Sequence, residues 1–174
     1  IVNYLKDEHA KLLDAKNKSG KTALYMAVWS GHVDIVKCLV ENGAEVNAVD
    51  KFGRAALGMA ARVGHVDIVK YLIENGAKVN AVDNNGQTAL HVAAEGRRVD
   101  VVKCLVENGA LLDARDKNGQ VPFDLAKDET IVNYLKDEHA KLLDAKNKVL
   151  EMECSSVLWK EWLLWQQGGR QSPT

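Results

Sequence analysis

Short apolar clusters with helical spacing alternate along this chain with polar, glycine-punctuated segments. Leu24, Ala27 and Val28 fall at i, i+3 and i+4, which puts them on one face of a helix. Ile35, Val36, Leu39 and Val40 repeat that spacing and predict a second short helix. Gly31 stands between the two and Gly43 follows the second. Either can stop a helix, because glycine takes the left-handed conformation at low steric cost. The segments that follow have turn chemistry, most plainly at Asn84-Asn85-Gly86. One unit therefore reads as a turn or hairpin followed by two antiparallel helices.

The unit recurs. Gly20, Gly53, Gly86 and Gly119 are spaced 33 residues apart. Asn47-Ala48-Val49-Asp50-Lys51-Phe52-Gly53 returns as Asn80-Ala81-Val82-Asp83-Asn84-Asn85-Gly86 and as Asp113-Ala114-Arg115-Asp116-Lys117-Asn118-Gly119. Thr22-Ala23-Leu24, Ala55-Ala56-Leu57, Thr88-Ala89-Leu90 and Val121-Pro122-Phe123 follow the glycines. Gly31-His32-Val33-Asp34 returns at Gly64-His65-Val66-Asp67, and Glu-Asn-Gly-Ala closes units at Glu41, Glu74 and Glu107. A fixed period of this length means stacked units that bury their apolar faces against one another.

This pattern resembles the ankyrin repeat over nearly all of residues 1–148. The expected fold class is all-α, a solenoid of helix-turn-helix units with β-hairpin loops. The expected division is a half-repeat at 1–16, repeats at 17–49, 50–82, 83–115 and 116–148, and a tryptophan-rich helical tail at 149–174 with a disordered end. The resemblance implies a non-catalytic protein-protein interaction module or scaffold, binding on a concave face of hairpin tips and first helices. Carried over by position, the tips are Lys18, Ser19 and Lys21; Lys51, Phe52 and Arg54; Asn84, Asn85 and Gln87; and Lys117, Asn118 and Gln120. The helix ends contribute Trp29, Arg62 and Glu95.

Departures from the period are the most informative positions, because residues that keep it are already explained by the fold. Trp29 stands where the other units have Arg62 and Glu95, and Phe52 where they have Ser19, Asn85 and Asn118. Tyr25 and Gly58 replace the histidine kept at His91, which the resemblance makes structural. With Arg54 and Arg62 these residues predict an aromatic and basic patch, a composition favoured at interface cores. The competing expectation is that Tyr25 and Trp29 fill space left by Gly58 and pack between repeats. The partner-binding set is thus Lys21, Tyr25, Trp29, Lys51, Phe52, Arg54, Arg62, Asn85, Gln87 and Glu95. A second function class uses the same patch as a small-ligand or nucleotide sensor, with aromatics on a base and cations on phosphates.

Chemistry beyond binding finds little support. His32 and His65 recur with the period, no Cys or His pair has zinc-ligand spacing, and the glycines form no phosphate loop. No catalytic residue, metal or cofactor is expected, and the chain reads as no enzyme. The formal net charge of −1 argues against general affinity for nucleic acid or anionic membrane. Cys38 and Cys104 share one slot two units apart, too far for a disulfide, and are expected to be buried thiols. That suggests a reducing compartment, cytoplasmic or nuclear. Starting at Ile1 rather than Met, the chain also reads as incomplete.

Residues 1–18 reappear unchanged at 131–148, although the central units have drifted apart. This implies a recent duplication or an engineered binding scaffold with a copied cap. In register the copied segment is a second helix plus the strand leading to the next hairpin. After Lys18 the chain continues Ser19-Gly20, but after Lys148 it reads Val149-Leu150 with no glycine, and the domain boundary is placed there. Copies at both ends could let chains stack or swap end to end. In the tail, Leu158, Trp162 and Trp165 share one helical face, with Trp159 beside them. They predict either a cap on the stack or a helix offered to a partner.

Overall fold

The computed structural model describes residues 12–168, with side chains through Val149. Three units follow one plan: α1 (Ala23–Trp29) and α2 (Val33–Glu41), α3 (Ala56–Val63) and α4 (Val66–Glu74), α5 (Ala89–Glu95) and α6 (Val99–Glu107). A fourth begins with the four-residue α7 (Pro122–Leu125) and continues into α8 (Glu129–Gly168). Each helix packs on its partner within the unit and on its counterpart in the next, α1 on α3 and α3 on α5. By compactness the chain divides between Leu135 and Lys136.

The predicted apolar spacing faces inward. Leu24, Val36, Leu57, Ile68, Leu90 and Leu105 are all essentially buried, and Ile131 and Leu135 extend the same core to the start of α8. A fully buried aliphatic side chain of this size contributes roughly 1.5–3 kcal/mol. No unit could supply enough of these alone, which is why they stack.

Polar ladders fix the spacing between units. Asp50 Oδ1 accepts the backbone N–H groups of Phe52 (2.8 Å) and Arg54 (3.0 Å). Asn17, Asp83 and Asp116 hold their own turns in the same way. Each turn is then bonded to the one before, Lys51 N–H donating to Ser19 O, Asn84 N–H to Phe52 O and Lys117 N–H to Asn85 O. At the rear of the loops, Asn47 accepts from Lys78 N–H and Asn80 from Leu111 N–H, both at 2.9 Å. The loops carry hairpin hydrogen bonds rather than long strands; among the described residues an isolated Val49–Ala55 bridge is the β pairing.

Gly31 and Gly64 turn between helices with φ of 75° and 96°, as expected. The third unit keeps this turn despite Arg97-Arg98, with Arg97 itself at φ 57°. A side chain on Gly64 would meet Arg98.

Three expectations need correction. The second copy of the duplicated segment is not helix then strand: α8 runs through it without a break. Glu138-His139 stands where Asn42-Gly43 ends α2, so no glycine stops the helix there, and beyond Lys148 the sequence continues Val149-Leu150 where the first copy has the Ser19-Gly20 turn. Among the described residues Cys38 is exposed and Cys104 is buried, so the shared slot does not give both thiols the same cover. Nothing lies within 4 Å of where a Cβ on Gly58 would sit, so Tyr25 does not fill that space. Residues 1–11, the expected disordered terminus from 169 onward and the side chains of Trp159, Trp162 and Trp165 lie outside the described residues.

Candidate protein-binding face

Each unit presents its turn and the start of its first helix on one side, and the period brings these positions into a row. Trp29 is 53% exposed at the end of α1, and Phe52 is 58% exposed at the second turn. Both are large apolar rings in water, and both lie under a cation. Lys21 Nζ sits 5.7 Å from the Trp29 ring centroid and 5.4 Å from that of Tyr25. Arg54 Cζ sits 4.6 Å from the Phe52 ring. Such contacts are worth about 0.5–1 kcal/mol at exposed sites, enough to bias a rotamer.

Beneath the rings lies a rigid polar base. Asp50 is buried, and its Oδ2 accepts from Arg54 Nε at 3.0 Å and Nη2 at 2.8 Å. Burial tends to raise the Asp50 pKa, but the Arg54 guanidinium and the backbone N–H groups of Arg54 and Phe52 outweigh it and hold the carboxyl below its ordinary value. Arg54 is thus fixed at both ends, by Asp50 in the base and Phe52 above.

Tyr25, expected among the contact residues, is only 1% exposed. It belongs to the core, between the Lys21 ammonium and the Asp50, Arg54 and Arg62 charges of the next unit. Its hydroxyl is buried without a partner in hydrogen-bond geometry, and burial raises its pKa. The histidine slot it occupies, buried at His91, is the sequence signal for this place, and for Tyr25 the competing expectation of packing between repeats holds.

The other expected residues keep to the face. Lys51, Arg62, Asn85 and Glu95 are exposed, and Gln87 is half-buried in the third turn. Glu95 makes a loose ion pair with Lys127 at 3.8 Å, both side chains in water, so it contributes little. Gly58 opens a small pocket of about 30 Å³ between the second and third units. Arg54, Met59, Arg62, Gln87 and Val92 are among its lining residues. The third unit shows what normally fills this place: His91 accepts Thr88 N–H at Nδ1 and its Nε2 bonds Gln120 O of the next unit at 3.1 Å. The pocket was not foreseen, although its signal, a glycine in the histidine slot, is in the sequence. Among the described residues no cluster of His, Cys, Asp or Glu could hold a metal ion. No described helix is long and apolar enough to cross a membrane.

The model of ankyrin repeats in three copies matches residues 46–118, and that of the single ankyrin repeat matches 19–51. The chain belongs to the ankyrin repeat family. Its stack is an all-α ankyrin solenoid, and ankyrin repeats are generally protein-protein interaction modules. The mouse serine/threonine-protein kinase TNNI3K is 36% identical over 49 residues, covering 28% of this chain and 6% of that protein. The ankyrin repeat domain-containing protein OPG015 of Monkeypox virus is 46% identical over 48 residues, covering 28% of this chain and 10% of that protein. The chain spans a tenth or less of these relatives, and the likeness to the kinase covers only the ankyrin repeats.

Proposed function

We propose that this ankyrin stack is a non-catalytic binding module of the cell interior. It grips another protein through the face carrying Trp29 and Phe52. The observation that carries this reading is the pair of rings, each more than half exposed and each held beneath a cation. Leaving two such rings in water is unfavourable unless a partner covers them. The basic rim of Lys21, Lys51 and Arg62 suits an acidic partner, and the Gly58 pocket suits one small apolar side chain from it.

Pull-down from a cytosolic extract tests this reading. The intact chain should capture a protein that a Trp29→Ala/Phe52→Ala variant loses at least tenfold, consistent with removal of interface aromatics worth about 2 kcal/mol each. Both residues are exposed, so the variant should keep its thermal midpoint. Capture that survives the double substitution but vanishes when the chain ends at Lys148 would move the function to the tail. Capture of a nucleotide in place of any protein would favour the sensor reading.

A further inference from the structure

Residues 12–18 and 142–148 share one sequence, Leu-Leu-Asp-Ala-Lys-Asn-Lys, yet adopt two conformations. In the first copy the chain leaves helix at Asp14 and straps across the first unit. Asp14 Oδ1 accepts Glu45 N–H at 2.8 Å, and Lys16 Nζ donates to Val49 O at 2.9 Å. Asn17 Oδ1 accepts Ser19 N–H and Lys21 N–H, and Leu13 packs on the core. In the second copy the same residues lie within α8. Leu143 is 47% exposed, and no side-chain hydrogen bond joins Asp144, Lys146 or Asn147 to another described residue.

Identical sequence means that the local preferences of the two copies are identical, so surroundings choose between the states. The first copy has a unit to strap onto and Ser19-Gly20 to close its turn. The second has neither. It carries every side chain that binds the first unit, but the residues after it, Val149-Leu150-Glu151, do not repeat the start of that unit.

We propose that the surface it fits is the first unit of a second copy of this chain. Segment 142–148 leaves its helix and takes the place of the other chain's 12–18. Asp144 then accepts Glu45 N–H, Lys146 reaches Val49 O, and Leu143 takes the site of Leu13. The resident strap is tethered and therefore at high effective concentration, so exchange requires high protein concentration. Donor and acceptor are different segments, so each contact is heterologous and leaves a donor and an acceptor for a further copy.

Light scattering of the full chain across a wide concentration range tests this exchange. The mass should rise from that of one chain, 19.1 kDa, to two or more. Asp144→Ala/Asn147→Ala, altering exposed residues of α8, should hold the chain at one copy. Asp14→Ala/Asn17→Ala weakens the resident strap and should lower the concentration of half-association severalfold. Adding the Asp144→Ala/Asn147→Ala pair to that variant should reverse the effect. Circular dichroism establishes that each variant is folded. One-copy mass for both the parent and the Asp14→Ala/Asn17→Ala variant would overturn the proposal, as would association unaffected by Asp144→Ala/Asn147→Ala.

Discussion

Asp50 organises the proposed binding face around the second turn. It closes the second turn, anchors Arg54 and thereby sets the Phe52 ring. Asn17 holds the corresponding turn with an uncharged amide, so Asp50→Asn should keep the turn but lose the charge and both Arg54 hydrogen bonds at Oδ2, which an amide NH2 cannot accept. The expected cost at neutral pH is about 1.5–3 kcal/mol, the range for a hydrogen-bonded charged group, and nearer its lower end because Arg54 is partly in water. The ordinary aspartate value is 3.8 and the folded value lies lower, so the folded state binds fewer protons. The stabilisation is therefore complete above pH 3.8 and fades as pH falls through the folded value. Chemical unfolding of parent and variant across acidic pH should show the two curves converging; a constant gap would contradict the assignment. Residue identity made the turns readable, because Asp or Asn recurs three residues before each glycine. It did not reveal that Tyr25 is buried while Trp29 is exposed. That depends on where the neighbouring unit lies, and an aromatic residue on a first helix suits either place.

Among the elements, α8 departs furthest from the period. In α2, α4 and α6 an Asn-Gly pair follows the last helical residue, and the glycine takes a positive φ. At the matching place α8 has Glu138-His139, both compatible with helix. Glu138→Asn/His139→Gly should restore the stop and reduce the far-UV helical signal. The cost should be about 1 kcal/mol, from glycine in a helix interior and the surface Glu138–Lys141 pair, without loss of the buried core. An unchanged helical signal would mean that the missing glycine is not what lets the helix run on. The three regular units were legible from apolar spacing and glycines because each element's start and stop is local. Copied residues 142–148 were misread for the opposite reason: their conformation in the first copy comes from contacts with the following unit, which the second copy lacks.

At the scale of the molecule, repetition explains both the fold and the site. Units with the same plan place equivalent positions in a row, so substitutions separated by a whole period, Trp29 in one unit and Phe52 at the start of the next, share one face. Sequence register gave that row directly. The Gly58 pocket required two adjacent units in space. The most direct measurement is site-specific photo-cross-linking in cells, with the reactive group placed at Phe52, at Arg62, or on the outer helix at Lys70. A protein partner joined from Phe52 and Arg62 but not from Lys70 is the expected result. Cross-links from Lys70 alone, with none from Phe52 or Arg62, would contradict the assignment of this face as the binding surface.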